Sequence, residues 1–301
     1  MEQSFVAWAK MRARRLPQVK LGIGDDAAVL ASSGDDFVIT TDTLMDGVHF
    51  KTAEVCGERI GRKLISVNLS DLAAMAAEPI AVFLTLCFPR NADQQLAADI
   101  YEGICQIAER YQIAVAGGDT NCWDGPLVLG LTAVGRTIDG IHWTRSAAKP
   151  DDLIVVTGPL GGSLLGKHLD FSPRLDISRR LRGQVAIHAA MDISDGLSTD
   201  LLRICDASHC GAVLDLEKIP IADDAKTMSQ SSGKTPIEHA LSDGEDFELL
   251  LTVAESEYEN LLATAGEANC YVVGKVTSRT GLWARENSKI RQLPATGYIH
   301  Q

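Results

Sequence analysis

The chain has 301 residues, 46% of them hydrophobic, seven cysteines and a formal net charge of −12. No apolar run approaches the roughly 20 residues that span a bilayer, and the basic residues form only short groups such as Arg12, Arg14 and Arg15, read as a solvated helix face, so membrane insertion and nucleic-acid binding are both excluded as expectations. The cysteines are odd in number and lack a C-x-x-C pair, and the N-terminus lacks a secretory pattern, so reduced packing thiols and a cytoplasmic location are expected.

Residues 4–16 predict a short amphipathic helix packed by Phe5 and Trp8. In LGIGDDAAVL (21–30) that follows, Gly22 and Gly24 permit a tight loop from which Asp25 and Asp26 project. FVITTD (37–42) predicts a strand that ends in Thr40, Thr41 and Asp42, and DGVHF (46–50) places His49 in a loop. The next helix is predicted over 58–78, up to Pro79, with Ile60, Leu64, Val67 and Met75 on one face. Asp71 falls on that same stripe, and a carboxylate on a buried face is costly unless it is paired or holds a metal. A strand is predicted at 80–86 and a helix at 93–111 capped by Asn91. A strand at 113–116 then runs into the loop GGDT (117–120), whose glycines let backbone N–H groups face an anion while Asp119 holds a cation. After a strand at 127–134, the polar stretch 137–152 marks a domain division near residue 145, giving domains 1–145 and 146–301.

The second domain opens with a strand at 153–158 and the turn GPLGGS, which leads into a helix. AAMDISDG (189–196) reads as a strand ending in Asp192, Ser194 and Asp195, before a helix at 198–208 capped by Ser198. Strands are expected at 212–216, 248–253 and 271–276, and KTMSQSSGK (226–234) reads as a polar loop. SDGED (242–246) precedes the second of these strands, so the same grammar of apolar run and acidic end occurs six times along the chain.

Two carboxylates 5 Å apart repel by roughly 3 kcal/mol at an effective dielectric of about 20, so a converging set partly protonates or binds cations. All-oxygen ligands without His or Cys pairs favour Mg²⁺ shared with substrate phosphates, which points to phosphoryl transfer. An ATP-dependent synthetase, a metal-dependent phosphatase and a non-enzymatic Ca²⁺ module remain open, although the D-x-D-x-D-G pattern of the last is missing.

The motifs GIGDDAAVL, TTDTLMDGVHF, VNLSDLAAMAAEP, AGGDT, TRSAAKPDD, DISDGLSTDL and LSDGEDFEL, in this order over about residues 20–253, resemble the thiamine-monophosphate kinase family of the aminoimidazole-ribonucleotide-synthetase superfamily. The resemblance implies a two-domain α/β (α+β) protein whose N-terminal mixed sheet pairs with its dimer mate, followed by a C-terminal α/β domain. It implies ATP as co-substrate, thiamine monophosphate as acceptor and several Mg²⁺ ions. By that resemblance Asp26, Thr40, Thr41, Asp42, Asp71, Asp119, Asp192 and Asp195 match metal ligands. Tyr101, Gly118, Asp119, Arg145 and Ser194 match nucleotide contacts, and His49 and Glu245 match substrate contacts. Asp42, Asp71, Asp119 and Arg145 are then the expected catalytic set. The stretch after Gly162 is shorter than is usual in that family, and Ala295 or Thr296 stands where the family commonly has a tryptophan, which leaves Tyr298 as the nearest aromatic for the substrate. A synthetase of the same superfamily, for aminoimidazole ribonucleotide or selenophosphate, or a non-catalytic metal- or nucleotide-binding relative, is the alternative.

Overall fold

In a computed structural model, residues 2–13, 16–266, 269–287 and 289–298 are described; Arg14 and Arg15 lie outside them. The first half holds α1 (Glu2–Arg12), β1 (Val19–Leu21), β2 (Ala28–Leu30), β3 (Phe37–Met45), α2 (Gly57–Ala74), β4 (Glu78–Pro89), α3 (Gln94–Tyr111), β5 (Ala114–Trp123) and β6 (Val128–Arg136). Its strands form a mixed six-stranded sheet in the order β1-β2-β3-β6-β4-β5, in which only the β4–β5 pair is parallel. A parallel pair needs a long crossover, and α3 supplies it.

The second half holds β7 (Leu153–Val156), α4 (Lys167–Asp170), α5 (Leu175–Leu181), β8 (Ile187–Asp192), α6 (Leu197–Ala207), β9 (Gly211–Asp215), α7 (Asp223–Ser232), α8 (Pro236–Ser242), β10 (Leu249–Val253), α9 (Tyr258–Ala265), β11 (Tyr271–Thr277), β12 (Gly281–Glu286) and β13 (Lys289–Gln292). These strands form a seven-stranded mixed sheet, β13-β12-β9-β11-β7-β10-β8, whose one parallel pair is β12–β9. None of the described helices is long and apolar enough to cross a membrane.

Helix α2 joins the halves. It packs on β3, β4, β6 and α3 on one side and on α4, α5 and β8 on the other. Ile60, Leu64, Ile65, Leu69 and Leu72 are therefore fully buried, and one continuous apolar core runs from the first sheet through α2 to Leu175, Leu181 and Leu249. The helix ends at Ala74, short of the expected residue 78, because Ala76 adopts a left-handed conformation (φ 54°) and Glu78 and Pro79 already pair with β6.

Several local expectations are corrected. Phe5 and Trp8 of α1 contact each other at 5.8 Å but stay 61% and 52% exposed, so that helix is not packed by its aromatics. Asp93, not Asn91, caps α3 by accepting from the Gln95 N–H. GGDT is not a loop but the middle of β5, where a Cβ on Gly118 would lie 2.1 Å from the Leu84 carbonyl oxygen. Gly196 (φ 106°), not Ser198, stands at the start of α6, and the Ser198 hydroxyl donates instead to the Leu241 carbonyl. The GPLGGS turn leads into a single 3₁₀ turn and the four-residue α4, and the polar stretch 226–234 lies largely in α7.

Where α2 crosses α3 the two backbones touch. A Cβ on Gly61 would sit 2.0 Å from the Ile100 carbonyl oxygen, and one on Gly103 would sit 2.0 Å from that of Glu58. Either Gly→Ala substitution should therefore cost at least about 2 kcal/mol through overpacking, whereas Gly34→Ala, with open space around it, should change stability by less than about 0.5 kcal/mol. Denaturant unfolding of the three variants checks this.

Candidate active site

Four elements bring carboxylates to one point between the halves: the loop before β2 carries Asp26, β3 carries Asp42, α2 carries Asp71 and the end of β8 carries Asp192. One oxygen each of Asp26, Asp71 and Asp192 lie within 4.8 Å of one another, and Asp42 hydrogen-bonds with Asp71. Neutral hydroxyls orient the set: Thr40 donates to Asp71 at 2.5 Å, and Ser70 donates to Asp192 at 2.6 Å. Thr40, Asp42 and Leu44 share the inward side of β3, as the strand period requires. Thr41 therefore turns its hydroxyl to the opposite face, where it donates to the Leu131 carbonyl.

Burial, reinforced by neighbouring carboxylates, sets the electrostatics. Burial and then Asp26 push Asp42 up to about 6, and burial followed by the charges of Asp42, Asp192 and Asp26 drives Asp71 well above the usual carboxylate range. Asp192 rises in the same way, through burial and then Asp26. Asp25 is raised to about 6 by burial and by Asp26, while it accepts from the Arg145 backbone N–H at 3.0 Å. Arg145 Nη2 donates to Asp26 Oδ1 at 2.6 Å; burial disfavours its charge, but Asp26 raises its pKa overall. Asp26 Oδ2 and Arg145 Nε are both buried and without a hydrogen-bond partner. An oxygen-only donor set with an unsatisfied carboxylate oxygen suits a hard divalent cation, and the unpaired guanidinium N–H suits an anion.

Beside this cluster opens a cleft of about 590 Å³ whose walls include Asp42, His49, Ser194, Asp195, Glu245 and Tyr298. The Tyr298 backbone N–H donates to the Asp195 carbonyl at 2.9 Å, and Gly297 binds the Thr199 hydroxyl, so the C-terminal stretch lies along the start of α6 and delivers Tyr298 to the cleft. Asp195 pairs with Arg203, which also donates to the buried Asp200 at 2.7 Å.

Tyr101, Gly118 and Asp119 stand elsewhere, in a separate recess of about 330 Å³. β5 is the third strand from β3, which places Asp119 roughly 14 Å from Asp42. Asp119 is exposed and accepts from Asn121 at 2.8 Å. Sequence reasoning overlooked Lys63, His168, Ser70 and Arg203. Lys63 was discoverable: positions 63, 67 and 71 line up at helical spacing, so it shares the stripe that singled out Asp71.

The two-domain architecture is that of the AIR synthase related proteins, whose N-terminal domain matches residues 24–137 and whose C-terminal domain matches residues 125–284. The thiamine-monophosphate kinase of Rhodopirellula baltica is 45% identical over 309 residues, spanning 100% of this chain and 97% of that one. That of Escherichia coli is 36% identical, over 82% and 80% of the two chains. The solved structure of AaThiL complexed with AMPPCP and TMP superposes with a TM-score of 0.85 at 26% identity, covering 99% of this chain and 96% of that one. The chain belongs to the thiamine-monophosphate kinase family.

A carboxyl whose pKa is raised in the folded state is protonated there while the unfolded chain has already released its proton, so stability falls as pH rises between the two values. For Asp42 that window runs from 3.8 to about 6. In the absence of divalent ions, Asp42→Asn should therefore melt progressively higher than wild type from about pH 4 to pH 7, by about 3 °C or more at the top, with a constant gap above. A melting curve series across pH checks this, and a gap independent of pH would contradict the electrostatic reading of the cluster.

Proposed function

We propose that the protein transfers the γ-phosphoryl group of ATP directly to thiamine monophosphate, giving thiamine diphosphate and ADP, in the cytoplasm. The observation that carries this reading is the triplet Asp26, Asp71 and Asp192 beside a cleft that also holds His49 and Glu245. The acceptor is itself a phosphate with a second pKa of about 6, so it is already a dianion near pH 7 and no general base is needed. What remains is to overcome the repulsion of two anionic groups and to align them in line.

The donors fit magnesium, with the unpaired Asp26 Oδ2 as the direct sign, and Asp26, Asp42, Asp71 and Asp192 are the residues that would hold it, with Thr40 beside them, while Asp195 in the cleft and Asp119 in the separate recess would take further ions. Magnesium bound there supplies charge neutralisation and orientation of phosphate oxygens. Arg145 is anchored through Nη2 by Asp26 and keeps its Nε–H for a phosphate oxygen, which makes it the proposed clamp on the transferring group. Ser194 contributes a nucleotide contact from the cleft, and Tyr101, Gly118 and Asp119 contribute theirs from the recess along β5. His49, Glu245 and Tyr298 receive the thiamine end. Tyr298 is 45% exposed, which leaves ring surface for stacking.

The reading includes a homodimer. α2 and α3 cover one face of the first sheet, while Phe37, Met45, Ile80 and Phe83 remain 43%, 37%, 39% and 44% exposed among its strands. Such a sheet face asks for cover, and a second copy presents a matching one. Light scattering at micromolar concentration should give about 65 kDa, twice the 32.3 kDa of one chain; a single 32 kDa species would remove the dimer.

Purified protein supplied with ATP, Mg²⁺ and thiamine monophosphate should yield ADP and thiamine diphosphate in equal amounts. Asp71→Asn should lower turnover by at least about 100-fold, as expected when a ligand to the transferring group's metal is lost. ADP formation without thiamine diphosphate would overturn the acceptor assignment in favour of a synthetase-like reaction.

A further inference from the structure

We propose that Lys63 is a positioning residue for the acceptor end of the cleft, a buried cation that ties the His49 loop of the first half to Glu245 of the second. The inference rests on the reading of His49 and Glu245 as acceptor contacts. Lys63 sits mid-helix in α2 and is fully buried. Its Nζ donates to the His49 carbonyl oxygen at 2.8 Å and to Glu245 Oε1 at 2.7 Å. His168 Nδ1 lies 2.8 Å from Nζ and 2.9 Å from Glu245 Oε2, so its tautomer decides whether it accepts from the ammonium or donates to the carboxylate. The ammonium thus faces one backbone oxygen, one carboxylate and one imidazole, contributed by three separate segments.

Two features separate this arrangement from an ordinary structural ion pair. Lys63 is fully buried and Glu245 only 20% exposed, and a pair so far withdrawn from water gains little net stability over an apolar isostere, so what such a lysine contributes is geometry rather than stability. The segment it grips is also strained: Glu245 and Phe247 both adopt left-handed backbone conformations, at φ 53° and 51°, which non-glycine residues rarely hold without external support. Burial lowers the Lys63 pKa, only partly opposed by Glu245 beside it, while Glu245, against its own burial, is held below the usual carboxylate range by His168 and Lys63. Asp71 lies eight residues further along the same helix, roughly 12 Å away. Loss of the Lys63 charge should therefore reach the acceptor walls and leave the phosphoryl-transfer cluster in place.

Lys63→Met keeps the length of the side chain and removes its charge. In hydrogen exchange on the ligand-free full chain, segments 46–50 and 243–247 should both exchange at least about 10-fold faster than in wild type, since both lose the same tether. In the transfer assay, the KM for thiamine monophosphate should rise about 10-fold or more, with the KM for ATP and kcat within about 3-fold. Adding Glu245→Gln should then speed exchange at 46–50 by less than about 2-fold further, because both substitutions break one link. Unchanged exchange, a KM and kcat that fall together, or additive effects would each overturn the proposal. If Lys63→Met does not fold, Glu245→Gln alone should still speed exchange at 46–50 through Lys63, and unchanged exchange there would overturn it. A wild type that leaves thiamine monophosphate untouched would defeat the proposed function, while the exchange measurement would still decide the role of Lys63.

Discussion

The mutual repulsion of the carboxylates between the two halves is the constraint that the rest of the structure answers. Asp26, Asp71 and Asp192 approach within 4.8 Å, with Asp42 bonded to the same group, in a place that burial has stripped of most water. Each pair costs roughly 3 kcal/mol at an effective dielectric of about 20 if both members are charged. Folding brings them together nonetheless, because each sits on an element whose position is set by apolar packing. The protein meets the cost with raised pKa values, with the Thr40 and Ser70 hydroxyls and with the Arg145 guanidinium. A divalent cation would relieve the remainder.

Helix α2 makes this possible because it belongs to both halves. Its apolar stripe is continuous with both sheets, and its glycine contact with α3 fixes its height in the first. Along one face it presents Lys63 toward His49 and Glu245, then, two turns later, Asp71 toward Asp42. One rigid rod thus carries a cation at the His49 and Glu245 segments and an anion in the carboxylate cluster, so the spacing between the two follows from helical rise and not from loops.

The parts of this organisation governed by local periodicity were legible in the sequence. Asp71 stood out because it breaks an apolar stripe, and Thr40 and Asp42 because a β-branched strand leads into them. The strands bracketing 37–134 and 153–276 were anticipated for the same reason. What local pattern does not encode was missed. Thr41 looks equivalent to its neighbours until the pleat sends it to the other face. GGDT reads as a loop, yet pairing with β4 draws it into a strand where glycine allows close backbone approach. Residues 226–234 have little apolar periodicity, and their helix rests on packing of Ala225 and on α8, whose start is held by the Thr235 and Glu238 capping box. The distance of Asp119 from the carboxylate cluster depends on strand order, which only long-range pairing decides.

The central claim is that the carboxylates between the halves form a divalent-cation site for phosphoryl transfer. Its most direct test is anomalous scattering from crystals grown with Mn²⁺ in place of Mg²⁺ and a non-hydrolysable ATP analogue. The account predicts a manganese peak within about 2.3 Å of an oxygen of Asp26, Asp71 and Asp192, with phosphate oxygens completing its shell. Manganese bound elsewhere, with these three carboxylates left bare or bonded only to one another, would contradict it.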